Sequence, residues 1–109
     1  MIQIQRWLPY TGVLITHLEG SIYVEIPADH PKAGTISRLW VNESSRHKGT
    51  ARHLLATAEE QAKNLGCKKV YLCWTEGEAE EWTREWYERN GYKEIERRGI
   101  DHWYAKSLL

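Results

Sequence analysis

Apolar residues recur along this chain with two periods, and the change from one to the other divides it. Residues 13–18 (VLITHL) and 21–26 (SIYVEI) are rich in β-branched and aromatic residues, and Glu19-Gly20 lies between them. This pattern predicts a β-hairpin. Residues 2–7 predict a further short strand, and 27–34 (PADHPKAG), punctuated by prolines and a glycine, predict a loop. A strand follows over 35–42 (TISRLWVN). Strict alternation there would put Thr35, Ser37, Leu39 and Val41 on one face and Ile36, Arg38, Trp40 and Asn42 on the other.

After Thr50 the period lengthens. Ala51, Leu54, Leu55, Ala58, Ala62 and Leu65 share one helical stripe, and Gly66 stands where a C-terminal cap belongs. Residues 68–74 (KKVYLCW) read as a strand. Residues 78–91 (EAEEWTREWYERNG) predict a second helix that buries Ala79, Trp82 and Trp86 and ends at Asn90-Gly91. Its wet face would carry the i,i+4 pairs Glu80–Arg84, Arg84–Glu88 and Glu85–Arg89. Residues 92–98 and 102–108 predict two closing strands around Gly99. The order of elements implies a mixed α/β (α+β) fold, and 109 residues fit a single domain over 1–109.

Composition removes several functions. Fifteen basic residues balance fifteen acidic ones, so no global field favours nucleic acid. A small nucleic-acid-binding domain would have to rely on Arg46, Lys48, Arg52, Arg97 and Arg98 alone. Cys67 and Cys73 form no C-x-x-C pair, which suggests a reduced, cytoplasmic chain. No secretory leader is visible, and no run approaches the ~18 apolar residues of a membrane span. Histidines 17, 30, 47, 53 and 102 lack ligand spacing, so no metal is expected. Six Trp and six Tyr, with no Phe, supply much of the apolar bulk.

The remaining chemistry is local. "SSRHKGTAR" (residues 44–52) places Arg46, His47 and Lys48 before Gly49, at a strand-to-helix junction. A helix start offers unpaired N–H groups and partial positive charge, which suit a phosphate-type anion. Equally, Ser44 or Ser45 could cap the helix and leave the basic side chains solvated. Positive charge opposes the helix dipole there, so an anion would offset a small cost. The nucleotide pattern G-x-x-x-x-G-K-[ST] is absent.

"RHKGTA" resembles the [QR]-x-x-G-x-[GA] acetyl-CoA motif of the GNAT acyltransferase superfamily. "WYERNGY", at the end of the second helix, is similar to that family's second signature, and "HWYAKSL" to its last strand. The resemblance covers 35–109. It implies a mainly antiparallel mixed sheet with two main helices, acetyl-CoA as cosubstrate, and N-acetyl transfer by direct attack of an amine in a ternary complex. Backbone amides of His47, Lys48, Gly49, Thr50 and Ala51, with Arg46 beside them, would hold the pyrophosphate. The backbone of Leu39, Trp40 and Val41 would pair with the pantetheine arm where neighbouring strands splay apart. The N–H near Val41 would face the acyl oxygen. Tyr87 would serve as acid toward the leaving thiolate.

The sequence departs from that family at several points. His47 replaces a frequent glycine, and Glu80 and Thr83 stand where Asn and Ala are usual. Thr35 and Ser37 occupy the region where a Glu base often lies, which leaves Asp29, His30 and His17 as candidates. The two helices that normally precede the hairpin are missing, so the acceptor side should be open. It would take an extended substrate, such as a peptide or protein amine, or be completed by a second copy in a homodimer; good turnover of a small amine by a monomer would argue against both. The competing expectation is an acyl-CoA-binding module that has lost turnover.

Overall fold

The structure, a computed structural model, describes residues 2–7, 11–27, 32–46 and 49–109. The alternating first third forms three antiparallel strands, β1 (Gln3–Trp7), β2 (Thr11–His17) and β3 (Gly20–Ile26). β4 (Ala33–Val41) pairs antiparallel with β3, and a 3-10 turn (Glu43–Ser45) leads towards α1 (Thr50–Asn64). β5 (Lys69–Thr75), α2 (Glu81–Arg89), β6 (Lys93–Arg98) and β7 (Asp101–Ser107) complete the order. The seven strands form one sheet in the order β1-β2-β3-β4-β5-β7-β6. Only β4 and β5 run parallel. This is the mainly antiparallel sheet with two helices that the family resemblance implies, and among the described residues no helix precedes the 3-10 turn.

Both helices cover one face. Val13, Ile15, Ile22, Val24 and Ile36 form a single core with Val70, Leu72 and Tyr104, and with Leu54, Leu55 and Ala58 of α1 and Tyr87 of α2. Burying each large aliphatic here is worth about 1.5–3 kcal/mol. The opposite face carries Leu14, Tyr23, Tyr71, Cys73 and Trp103 at half-buried or exposed positions, with no helix of the described chain over it.

Two details depart from the sequence expectation. In β4, Ile36 and Val41 are both buried, although strict alternation separates them. The cause is a bulge. Ser21 pairs with Trp40 and Tyr23 with Ser37, so three steps of β4 oppose two of β3. Arg38 absorbs the extra residue at φ 56°, in the left-handed region. The bulge bends β4 away, and its pairing with β5 stops at Thr35↔Tyr71.

The second departure is α2, which starts at Glu81 rather than at 78. Residues 76–80 form a turn in which the Glu78 and Ala79 N–H groups donate to Thr75 O at 3.2 and 2.9 Å. The buried residues of α2 are then Thr83 and Tyr87, while Trp82 and Trp86 are half-buried. Trp74 Nε1 donates to Thr83 Oγ1 at 3.1 Å and turns this edge inward. Arg84–Glu88 forms, at 4.0 Å, but Glu80 pairs elsewhere and Arg84 Nε donates to Tyr104 OH at 3.1 Å.

Candidate functional site

Where β4 leaves β5, a cleft of about 430 Å³ opens. Ser37, Arg38 and Leu39 line it from β4, Cys73, Trp74 and Thr75 from β5, and Glu78, Glu80 and Tyr87 from the turn and α2. Leu39 is half-buried there, Val41 is buried, and Trp40 is exposed. Tyr87 is 8% exposed, and its hydroxyl has no hydrogen-bond partner among the described residues. Burial pushes its ionisation well above the ordinary phenol range. The cleft therefore presents a neutral O–H donor beside unpaired strand edge.

A second cavity, of about 420 Å³, adjoins the start of α1. Arg46, Gly49, Ala51 and Arg52 line one side, and Trp82, Trp86, Arg89 and Asn90 of α2 and its end line the other. Gly49 is the residue before α1 and adopts φ 85°, which lets the chain turn directly into the helix. No side chain caps α1, so neither Ser44 nor Ser45 has that role, and Ser45 is buried. Arg46 lies 5.7 Å over the Trp82 ring. Arg46 Nε and Trp82 Nε1 are buried and have no partner among the described residues. Buried donors are nearly always satisfied in proteins, so these two fit an acceptor-rich anion at the cavity. Three guanidinium groups around a helix start make the same demand.

The two spaces meet at one ion pair. Glu80 lines the cleft, Arg46 lines the cavity, and Arg46 Nη2 donates to Glu80 Oε1 at 3.0 Å. Thr50, expected to offer its backbone to a phosphate, is buried, with Oγ1 donating to Glu19 Oε2 at 2.9 Å. His47 and Lys48 lie outside the described residues, as do Asp29 and His30. His17 does not reach the cleft; its Nδ1 accepts the Glu19 N–H at 3.0 Å and closes the β2–β3 turn.

Sequence reasoning missed Arg89 and the site-facing side of Trp82 and Trp86. Their i, i+4, i+7 spacing was the available signal. It marks a helix face, but large indoles on a stripe read as core. Among the described residues no group of three or more His, Cys, Asp or Glu side chains is placed to hold a metal ion. Among the same residues no helix is long and apolar enough to cross a membrane.

Comparison with known proteins supplies the context. No curated protein matches the chain. Among solved structures, an acetyltransferase of the GNAT family from Staphylococcus aureus Mu50 superposes with a TM-score of 0.73 at 16% identity, covering 93% of this chain and 69% of that one. The PaiA N-acetyltransferase of Thermoplasma acidophilum, in complex with coenzyme A, gives 0.75 at 23% identity over 90% of this chain and 60% of its own. N-acetylglutamate synthase of Neisseria gonorrhoeae, complexed with coenzyme A and N-acetyl-glutamate, gives 0.72 at 18% identity over 90% and 26%. These likenesses establish the fold. The profile of the Acetyltransferase (GNAT) family matches residues 5–92, and with most of its length inside that match the chain belongs to this family of acyltransferases.

Proposed function

We propose that this protein transfers an acetyl group from acetyl-CoA to a primary amine, with both substrates bound together. What supports this above all is the splay of β4 from β5 beyond Thr35↔Tyr71, which leaves strand edge free inside a cleft that Tyr87 helps to line. The arginine-lined cavity at the start of α1 suits the cofactor phosphates, with Arg46, Arg52 and Arg89 as counter-charges. The pantetheine arm would lie along Leu39, Trp40 and Val41, and the thioester would sit near Cys73 and Tyr87. The amine nitrogen attacks the carbonyl carbon, the C–S bond breaks, and the thiolate leaves towards Tyr87. An alkylamine of pKa ~10.4 costs about 4.6 kcal/mol to hold neutral at pH 7, so a proton acceptor on the amine side matters.

Release of free thiol from acetyl-CoA across a panel of amines, measured beside calorimetric binding of CoA, tests this function. Amine-dependent thiol release supports it. CoA binding with no release across the panel would sink it in favour of a binding module, a reading that the Arg46–Glu80 ion pair between the two spaces also suits.

A further inference from the structure

The helix-free side of the cleft carries a hydrogen-bonded chain that no motif announces. Antiparallel pairing of β5 with β7 sets Cys73 opposite Trp103 and Thr75 opposite Asp101, on the face away from the helices. Thr75 Oγ1 donates to Asp101 Oδ1 at 2.8 Å. Cys73 Sγ lies 3.6 Å from Thr75 Oγ1. The Thr75 proton is committed to Asp101, so its oxygen remains free to accept. Cys73, Thr75 and Glu78 all line the cleft, while Asp101 stands behind Thr75.

From this geometry we infer that the helix-free end of the cleft is a site for a cationic primary amine, in which Thr75 contacts the amine and Asp101 behind it takes the proton. This deepens the acyl-transfer reading and rests on it. The ammonium gives one N–H proton to Thr75 Oγ1 as Thr75 Oγ1–H passes its own to Asp101 Oδ1. The neutral amine then attacks the thioester carbon. The C–S bond breaks, and the second proton lost by nitrogen goes with the departing thiolate. Asp101 is a positioning residue, because it acts through Thr75.

The charged groups facing this site come from every neighbouring element. Glu78 follows β5, Arg38 approaches from the β4 bulge, and Arg98 of β6 pairs opposite Asp101 but is held by Glu96 at 3.0 Å. Of the two glutamates that line the cleft, Glu80 is occupied by Arg46. Cys73 senses the field: burial first, then Asp101 and Glu78, push its thiol up, against an opposing effect of its contact with Thr75.

Cys73 is exposed and Cys67 buried, so Cys73 can report on the site without turnover. In the free protein, aminoethyl methanethiosulfonate should modify Cys73 about tenfold faster than the sulfonatoethyl reagent, after normalising both rates to a small free thiol. Asp101→Asn should cut that preference about fivefold, with Cys73→Ser as the blank. A normalised ratio near one, or a ratio that Asp101→Asn leaves unchanged, overturns the cationic site. Turnover tests the proton step. With acetyl-CoA and amines of graded basicity, Asp101→Asn should lower kcat/KM about 100-fold for a strongly basic alkylamine and under about threefold for trifluoroethylamine. Thr75→Val should repeat that pattern and Thr75→Ser restore it. Equal losses across the series, or a selective loss in Glu78→Gln instead, overturn the role of Asp101. A wild-type chain that releases no thiol with any amine ends the proton step and the acyl-transfer reading together, whereas the reagent ratio still decides the site by itself.

Discussion

At the scale of single residues, Tyr87 shows how burial changes a role. A free phenol (pKa ~10) is already a weaker acid than a thiol (~8.5), and burial raises the Tyr87 hydroxyl further. Complete proton transfer to a thiolate is therefore well uphill, and the role left to the hydroxyl in the proposed reaction is that of a hydrogen-bond donor to the leaving sulfur. Its loss should act evenly across pH. Tyr87→Phe should lower kcat roughly 100-fold from pH 6 to 9, with the KM for acetyl-CoA within about twofold of wild type. Ring contacts to Trp86 and Tyr92 persist in the variant, so its melting temperature should stay within a few degrees of wild type. An unchanged kcat would remove Tyr87 from the reaction. Glu80 offers the opposite experiment. Its carboxylate occupies Arg46, yet the Glu80 side chain is 57% exposed, so solvent screens the pair to about 1 kcal/mol or less. Glu80→Gln should free Arg46 for phosphate and tighten CoA binding up to about fivefold in calorimetry. Unaltered affinity would mean that Arg46 does not face the cofactor. Neither pairing could be read in the sequence, because Arg46 and Glu80 lie 34 residues apart, and Thr75 and Asp101 lie 26 apart.

Among elements, β4 determines whether there is a cleft at all. Its bulge places Arg38 at φ 56°, a conformation that costs a non-glycine residue roughly 1–2 kcal/mol. The guanidinium recovers part of this 5.6 Å over the Tyr23 ring. Removing Arg38 from the chain would leave Ile36 and Val41 four positions apart in a regular strand, so both could still face the core. The deletion variant should fold, with a melting temperature within a few degrees of wild type, while β4 straightens and pairs further along β5. Its CoA affinity should then fall by more than about tenfold, a loss of ~1.4 kcal/mol. Wild-type affinity would show that the bulge does not make the site. The hairpin and α1 were legible because alternation and a 3.6-residue stripe each persist over a full element. The bulge was not, since nothing in the residue type of Arg38 favours a positive φ. The face of α2 was misjudged for a related reason. Nine residues define a stripe poorly, and Thr83 turns inward through a bond to Trp74 that composition cannot announce.

At the scale of the whole molecule, the sheet's far edge is tied by charge rather than by apolar burial. All six residues of β6 are exposed. His102, fully buried on β7, lies 2.8 Å from Glu94 through Nδ1 and 2.8 Å from Glu76 through Nε2. The imidazole thus stands between two carboxyl groups and joins β6 to the turn that follows β5. Arg97 holds the same Glu94 at 3.2 Å. Arg97 foremost lowers the Glu94 carboxyl below its usual range; burial opposes it, and His102 adds to the lowering. A depressed acid stabilises the fold above its unfolded pKa of ~4.3, and the contribution disappears as pH falls through the lower folded value. Glu94→Gln should therefore melt below wild type at pH 7, and the gap should close as both are titrated below about pH 4. A gap of equal size at pH 7 and pH 3 would assign the loss to packing instead. Because β6 is an edge strand that pairs with β7 alone and buries none of its residues, hydrogen exchange should show its amides opening first as the acid limb is reached, while those of β3 and α1 stay protected.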